Sequence, residues 1–157
     1  MEEPGVVVRQ ARREDLEEIA GLIVRFYRFN EEFDSAWVST ESMDRARNVI
    51  EDILSDERNL LLVAEYDGRI VGVIRSELQD EPMLVNSPIA VVKELYVIPE
   101  YRRRGIATKL IEETRRILEG RGAKILAAEF PAHNEVAKSF YEKLGFRPFK
   151  SVYISEA

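Results

Sequence analysis

A hairpin signature in the middle of the chain constrains the fold more than any other feature. The segment NLLLVAEYDGRIVGVIRSELQ, residues 59–79, contains two β-rich apolar runs joined by Asp67-Gly68. Aspartate followed by glycine tolerates the positive φ angles of a tight primed turn. The sequence therefore predicts antiparallel sheet at the centre of the molecule.

Helical and extended patterns alternate on both sides of this hairpin. Before it, a strand is predicted at residues 6–11, followed by an amphipathic helix with an apolar stripe from Leu16 to Tyr27. A second helix is predicted after Ser39 and Thr40. After the hairpin, a strand ends at Pro99 and leads into another amphipathic helix.

The remaining residues predict three more elements. AKILAAEF is a strand, Asn134 caps a last helix that Gly145 stops, and the tail FRPFKSVYIS forms a closing strand. The order β-α-α-β-β-β-α-β-α-β predicts an α/β (α+β) fold, with a mixed, mainly antiparallel sheet and helices on both faces. We expect one domain over residues 1–157.

Charge and composition exclude several classes of function. The chain has 23 Lys and Arg against 29 Asp and Glu, a net charge of −6, so as a whole it repels nucleic acid and anionic membranes. It has no cysteine and a single histidine, His133, which leaves little material for a metal centre or a Ser-His-Asp relay. Without an apolar run of signal or membrane-spanning length, the expected location is the cytoplasm.

The stretch YRRRGIATKL, residues 101–110, places three arginines directly before a glycine. It can be a solvated helix start, a nucleic-acid contact or an anion site. Positive charge at a helix N-terminus opposes the macrodipole by about 0.3–1 kcal/mol per charge, so the arginines are better explained by an anion nearby. Nucleic-acid binding is disfavoured because acidic residues resume at Glu112.

Two motifs and the order of elements resemble the GNAT superfamily of N-acyltransferases. Arg102 to Ala107 matches the family's cofactor motif Gln/Arg-x-x-Gly-x-Gly/Ala, with alanine in the last position. NEVAKSFYEKLGF, from Asn134 to Phe146, matches the second motif, Asn-x-x-Ala-x-x-Phe-Tyr-x-x-x-Gly-Phe. The resemblance implies transfer of an acetyl group from acetyl-coenzyme A to an amine. A non-catalytic acyl-coenzyme A sensor or interaction module of the same fold is the alternative.

The resemblance also implies which residues bind the cofactor. Backbone amides from Arg103 to Thr108 would hold the pyrophosphate with help from arginine side chains, the pantetheine arm would pair with the strand, and Asn134 would contact that arm or serve only as a cap. The cofactor-binding residues expected on this basis are Leu95, Tyr96, Val97, Arg102, Arg103, Arg104, Gly105, Ile106, Ala107, Thr108 and Asn134.

Two residues are the catalytic candidates. Glu94 interrupts an apolar strand, and a family strand bulge there would open a cleft in which it acts as general base; an ordinary exposed strand glutamate or a water relay is the alternative. Tyr141 matches the family's general acid, which gives its phenolic proton to the coenzyme A thiolate, although it also lies on a core stripe. Backbone N–H groups near Tyr96 and Val97 would polarise the acyl carbonyl.

The sequence indicates only the charge of the acceptor substrate. The loop NEEFDSAWVS after the first helix combines carboxylates with aromatic residues, which suits a cationic amine, although acidic loops also serve solubility. The substrate-binding candidates there are Glu31, Glu32, Phe33 and Trp37. A homodimer is expected if the closing strand pairs with the sheet edge of a second copy.

Overall fold

The predicted hairpin forms the centre of the sheet. The computed structural model describes residues 5–157. Strands β2 (Asn59–Tyr66) and β3 (Arg69–Gln79) pair antiparallel. Asp67 and Gly68 join them with φ angles of 50° and 76°. Positive φ at both central residues is characteristic of the type I′ turn that Asp-Gly favours, so the local sequence is sufficient to set this turn.

Within residues 5–157, three further strands and four helices complete the fold. The strands are β1 (Val6–Gln10), β4 (Ile89–Val97) and β5 (Leu126–Ala128). The sheet order is β1-β2-β3-β4-β5, and every pair is antiparallel except β4 with β5. The helices are α1 (Leu16–Asn30), α2 (Met43–Leu54), α3 (Ile106–Gly120) and α4 (Glu135–Lys143). No helix in this part of the chain is long and apolar enough to cross a membrane.

The predicted start of the second helix needs one correction. Helix α2 begins after Ser42, whose Oγ accepts a hydrogen bond from the Arg45 N–H at 3.2 Å, and not directly after Ser39 and Thr40. Ser, Thr and Asp are all good N-caps, so a cluster of them marks a helix start only to within a few residues.

Alternating side chains of β3 place helices on both faces of the sheet. A Cβ at Gly72 would lie 3.4 Å from Leu110 Cδ1, so this position faces α3. Side chains alternate along a strand, so Arg75, three residues after Gly72, faces the other side of the sheet. There Glu94 hydrogen-bonds to both Arg75 and Tyr27 of α1. The mixed sheet with helices on both faces is therefore confirmed. Its core contains fully buried Ile19, Ile50, Leu62, Val73, Ile74 and Leu110.

The predicted closing strand is not formed in the single chain. Residues 146–157 have no regular structure, and the side chains of Val152, Tyr153 and Ile154 are 82%, 91% and 70% exposed. A strand needs a neighbour to satisfy its backbone hydrogen bonds, and β-propensity alone does not hold it in place. Strand β5 is likewise shorter than predicted, with three residues instead of eight.

Candidate active site

Strand β4 contains a β-bulge at Lys93. Glu94 lies opposite Arg75 of β3, and the next pair is Val92 with Ser76, so Lys93 is an extra residue on β4. The bulge appears where the sequence analysis expected one beside Glu94. It turns the Glu94 side chain to the α1 face, on the same side as Arg75.

Strands β4 and β5 separate at this bulge. The last backbone hydrogen bond between them runs from the Glu129 N–H to the Val92 carbonyl at 3.0 Å, just beyond the parallel pairing that ends at Ala128. Lys93 Nζ donates to Glu129 Oε2 at 2.7 Å across the point of separation. Beyond it, the outer edge of β4 has no neighbouring strand among the described residues.

Two residues present their backbone groups along this open edge. The Ile98 N–H donates to the Val71 carbonyl at 2.8 Å, so Ile98 and, two residues earlier, Tyr96 direct their backbone groups toward β3. Leu95 and Val97, which alternate with them, direct theirs outward into the gap. An extended, amide-containing chain can pair with these groups as an added strand would.

The start of α3 supplies a group of backbone donors after this edge. Gly105 is the N-cap, in the left-handed region at φ 78°, which glycine adopts without a Cβ clash. None of the residues 5–157 accepts a hydrogen bond from the N–H groups of Ile106, Ala107 and Thr108. Unpaired N–H groups at the positive end of a helix dipole form an anion site.

The three arginines before Gly105 have different surroundings. Arg102 Nε donates to the Val97 carbonyl at 2.8 Å, and its guanidinium lies 5.3 Å from the Tyr96 ring centre. Arg104 lies 5.1 Å from the centre of the Tyr101 ring. Arg103 is exposed and has a φ of 62°, which is strained for a residue with a Cβ. The arginines therefore do not form one uniform basic cluster.

Glu94 is buried in a hydrogen-bonded ion pair. Its side chain is 4% exposed and accepts from Arg75 Nε at 2.6 Å, from Arg75 Nη2 at 2.7 Å and from Tyr27 Oη at 2.9 Å. Burial by itself lowers the pKa of Arg75, but the hydrogen bonds and charge of Glu94 raise it above the ordinary arginine value. Burial, together with the Glu94 charge, also raises the pKa of Tyr27. The carboxylate is thus enclosed, and not an exposed strand residue.

Tyr141 of α4 lies among three phenylalanines. Its ring stacks on Phe130 with 5.4 Å between centres and meets Phe140 and Phe146 edge-on, each at 5.1 Å. Its hydroxyl hydrogen-bonds to no residue in the described part of the chain, and burial raises the pKa of Tyr141. The side chain is therefore both a core aromatic and a neutral phenol with its proton available at neutral pH.

Asn134 caps α4 as predicted. Its Oδ1 accepts a hydrogen bond from the Ala137 N–H at 3.0 Å. His133, immediately before the cap, is exposed, in line with a surface position.

Some of the predicted acceptor residues in the loop after α1 make contacts within the fold, and others are exposed to solvent. Glu31 accepts from the Ser39 N–H at 2.8 Å and from Ser39 Oγ at 3.0 Å, and these two hydrogen bonds lower the pKa of Glu31. Phe33 packs edge-on against Phe29 at 5.3 Å. Glu32 is exposed, and Trp37 is 37% exposed with its ring 6.3 Å from the Tyr27 ring. Trp37 is therefore linked to the Glu94 network through the ring of Tyr27.

Sequence reasoning did not identify Arg75 and Tyr27 as site residues. Arg75 interrupts an apolar strand, as Glu94 does, and this shared irregularity was an available signal. Their contact could not be deduced, because an irregular segment, residues 80–88, joins β3 to β4 and leaves the register open. Tyr27 fitted a core stripe equally well.

One known protein family matches this chain over most of its length. The model of the acetyltransferase (GNAT) family matches residues 16–146. The chain belongs to this family. Membership makes it an acyltransferase that transfers acetyl groups to amines, with acetyl-coenzyme A as its cosubstrate.

Relatives of this acetyltransferase include an uncharacterized protein and enzymes with different names. An uncharacterized N-acetyltransferase of Archaeoglobus fulgidus is 27% identical over 140 residues, which are 89% of this chain and 92% of the relative. N-alpha-acetyltransferase 30 of Schizosaccharomyces pombe is 44% identical over 59 residues, 38% and 39% of the two chains. The aminoglycoside N-acetyltransferase AAC(6')-Iy, solved in complex with coenzyme A, has a TM-score of 0.82 at 21% identity, covering 97% of this chain and 94% of its own.

The backbone groups along β4 and at the start of α3 are chemically compatible with coenzyme A. The pantetheine arm carries amides, which suit the outward backbone groups of Leu95 and Val97. The pyrophosphate is an anion, which suits the unpaired N–H groups from Ile106 to Thr108. The gap beside β4 leads to the start of α3. One coenzyme A molecule can therefore place its pantetheine arm in the gap and its pyrophosphate at these amides.

Proposed function

We propose that this chain acetylates a primary amine, on a protein N-terminus, a lysine or a small molecule, by direct attack on acetyl-coenzyme A in a ternary complex. One observation carries the proposal: β4 and β5 separate at Lys93, and the exposed edge of β4 continues into the unpaired amides at the start of α3. This arrangement provides for an extended thioester and leaves the Glu94 network at its inner end.

Cofactor binding in this proposal uses backbone groups more than side chains. Leu95 and Val97 pair with the pantetheine amides, and the amides from Arg103 to Thr108 hold the pyrophosphate. Among the side chains, Arg103 and Arg104 add positive charge, whereas Arg102 braces the strand edge through the Val97 carbonyl. Asn134 completes the cleft from α4. The Tyr96 N–H faces β3, so the Leu95 N–H, the outward donor nearer Glu94, polarises the acyl carbonyl, while the Leu95 carbonyl and the Val97 N–H pair with the pantetheine arm.

The proposed chemistry assigns one proton transfer to the attacking amine and one to the departing thiolate. Acetyl-coenzyme A supplies an activated thioester carbonyl. A primary amine is mostly protonated at neutral pH, so it first loses its ammonium proton to water; the second N–H proton, lost as the amine attacks, needs an acceptor, and Glu94 is assigned that role. Tyr141 donates its phenolic proton to the departing thiolate sulfur. Burial raises the pKa of Tyr141, so its hydroxyl still carries its proton when the thioester binds.

The acceptor is proposed to enter past the loop after α1. Trp37 and Phe33 offer aromatic surface and Glu32 offers an exposed carboxylate, a combination that attracts an alkylammonium group. Glu31 contributes indirectly, by holding the loop through Ser39. The N-alpha-acetyltransferase and aminoglycoside relatives support amines as the class of acceptor.

A thiol-release assay tests the proposed function. Purified protein and acetyl-coenzyme A are incubated with spermidine, neamine, free lysine and a tetrapeptide with a free N-terminus, and release of free coenzyme A thiol is followed. At least one acceptor is expected to raise the rate well above that without amine. Tight coenzyme A binding with no transfer to any of them would contradict the proposal and favour a binding module.

We expect Arg103→Gly to separate backbone strain from cofactor charge. Glycine removes the Cβ that disfavours a φ of 62°, so the free energy of unfolding should be unchanged or raised by up to about 1 kcal/mol. Loss of the guanidinium should weaken coenzyme A binding about tenfold in calorimetry at low salt. Arg103→Ala is the control because it loses the charge but keeps the strain. If Arg103→Ala binds coenzyme A as wild type does, Arg103 does not contact a phosphate.

We further propose that the protein is a cytoplasmic homodimer in which the tail of each copy pairs with β5 of the other. The Ile125 carbonyl and the Glu129 N–H bond to β4, so Leu126 and Ala128 direct their backbone groups to the outer edge. No residue in the described part of the chain pairs with that edge. The tail carries β-rich apolar residues that are exposed in the single chain, and reciprocal pairing would bury them.

We expect wild type to sediment at about twice its monomer mass of 18.1 kDa. Val152→Asp with Ile154→Asp should yield monomer, because two adjacent same-face charges oppose burial of the tail. Met83→Asp with Val85→Asp adds the same charge at positions that are 93% exposed and outside the tail, and should remain dimeric. A monomeric wild type, or a dimer that survives the tail substitutions, would refute this arrangement.

A further inference from the structure

Glu94 cannot easily contact a substrate itself. A carboxylate has about four lone-pair positions, and three of those of Glu94 already accept hydrogen bonds. Oε2 is filled by Arg75 and Tyr27, and Oε1 retains one position, on a side chain that is only 4% exposed. Any effect of this carboxylate on the acceptor must therefore pass mainly through a neighbouring group.

Tyr27 lies between the buried Arg75–Glu94 pair and the partly exposed Trp37. Its hydroxyl donates to Glu94 Oε2 at 2.9 Å, and its oxygen, which also faces Arg75, keeps a lone pair for another partner. Its ring is held edge-on by Phe26 at 5.1 Å and lies 6.3 Å from the ring of Trp37, which is partly exposed. Tyr27 thus connects the buried carboxylate with the loop that lines the proposed acceptor entrance.

We propose that the Tyr27 hydroxyl contacts the acceptor amine and relays its proton to Glu94. This inference rests on the proposed function and assigns it a further catalytic residue. As the nitrogen of the neutral amine bonds to the acyl carbon and the carbon–sulfur bond breaks, one N–H proton passes to Tyr27 Oη. The original Tyr27 proton passes to Glu94 Oε2, and the thiolate takes a proton from Tyr141. Exchange with water then removes the proton from Glu94 and returns a proton to the Tyr141 oxygen.

Arg75 is a positioning residue in this arrangement. Its planar fork fixes both carboxylate oxygens, while its Nη1 donates to Glu77 Oε2 at 3.0 Å and to Asn59 Oδ1 at 3.1 Å. Glu94 is therefore held with Oε2 directed at Tyr27.

A double-mutant cycle tests the relay with the best acceptor from the thiol-release panel. Tyr27→Phe removes one hydroxyl and keeps the ring contacts, and we expect kcat to fall about a hundredfold. Glu94→Gln should have the same effect. If both residues serve one proton path, the double variant Tyr27→Phe with Glu94→Gln should be at most about threefold slower than either single variant.

Controls separate the relay from general damage to the fold. Glu77→Gln removes another carboxylate from Arg75 without touching Tyr27, so its kcat should stay within about twofold of wild type. Coenzyme A affinity and the thermal midpoint should change little in Tyr27→Phe. An active wild type with an unimpaired Tyr27→Phe, or with multiplicative losses in the cycle, overturns the relay alone. A wild type inactive on every acceptor overturns the proposed function together with the relay.

Discussion

Tyr141→Phe is expected to lower kcat by about a hundredfold or more and to leave coenzyme A affinity within about twofold of wild type. The substitution keeps the ring that stacks on Phe130 and contacts Phe140 and Phe146, so the packing of α4 should survive. Only the hydroxyl is lost, and it hydrogen-bonds to no other described residue. The effect should therefore appear in the chemical step and not in folding or cofactor binding.

The measurement for Tyr141 is steady-state thiol release alongside calorimetric titration with coenzyme A. Tyr66→Phe is a suitable control, because Tyr66 also packs against another ring, that of Tyr101, and has no assigned proton transfer. A Tyr141→Phe variant with undiminished kcat would remove Tyr141 from the reaction and leave it a core residue. A loss confined to coenzyme A affinity would assign it to cofactor binding instead.

Arg75→Met is expected to lower the free energy of unfolding by about 3–5 kcal/mol, because it leaves Glu94 charged and unpaired in the interior. The side chains of Arg75 and Glu94 are 13% and 4% exposed, so solvent cannot replace the lost partner. Arg75→Met with Glu94→Gln should recover most of the loss, since the uncompensated charge is gone. Urea unfolding followed by circular dichroism measures all three proteins.

A surface ion pair provides the comparison for Arg75. Arg116 pairs with Glu113 on α3 and is 70% exposed, so Arg116→Met should lower the free energy of unfolding far less than Arg75→Met does, because water solvates the freed Glu113. If Arg75→Met costs no more than Arg116→Met, water reaches Glu94 and the enclosed network described above does not exist. If the double variant is as unstable as Arg75→Met, the loss arises from packing of the arginine stem and not from charge.

Features set by neighbours in the chain were predictable from the sequence. The Asp67-Gly68 turn, the cap at Asn134 and the apolar stripe of α3 depend on residues a few positions apart, and each appears as expected. The glycine-containing start of α3 also follows locally, since Gly105 adopts the positive φ that its position requires. These features sufficed to suggest the family.

Features that need a partner distant in the chain were less predictable. The tail has β-propensity but forms no strand, because pairing depends on a second chain or sheet edge that the sequence does not locate. The arginines of YRRRGIATKL look alike in sequence, yet Arg102 bonds to a strand carbonyl and Arg104 lies over an aromatic ring. Side-chain destinations within one motif depend on what the fold places around them.

The sequence alone determined the order of the elements as far as α4, the hairpin at the centre of the sheet and the two motifs that indicate coenzyme A chemistry, because these follow from short-range spacing and local backbone preference. The tertiary structure decided where the edge of β4 opens and that Glu94 is enclosed by Arg75 and Tyr27. Those contacts join residues 19 and 67 positions apart, and the strand register and helix packing that create them arise only when the whole chain folds.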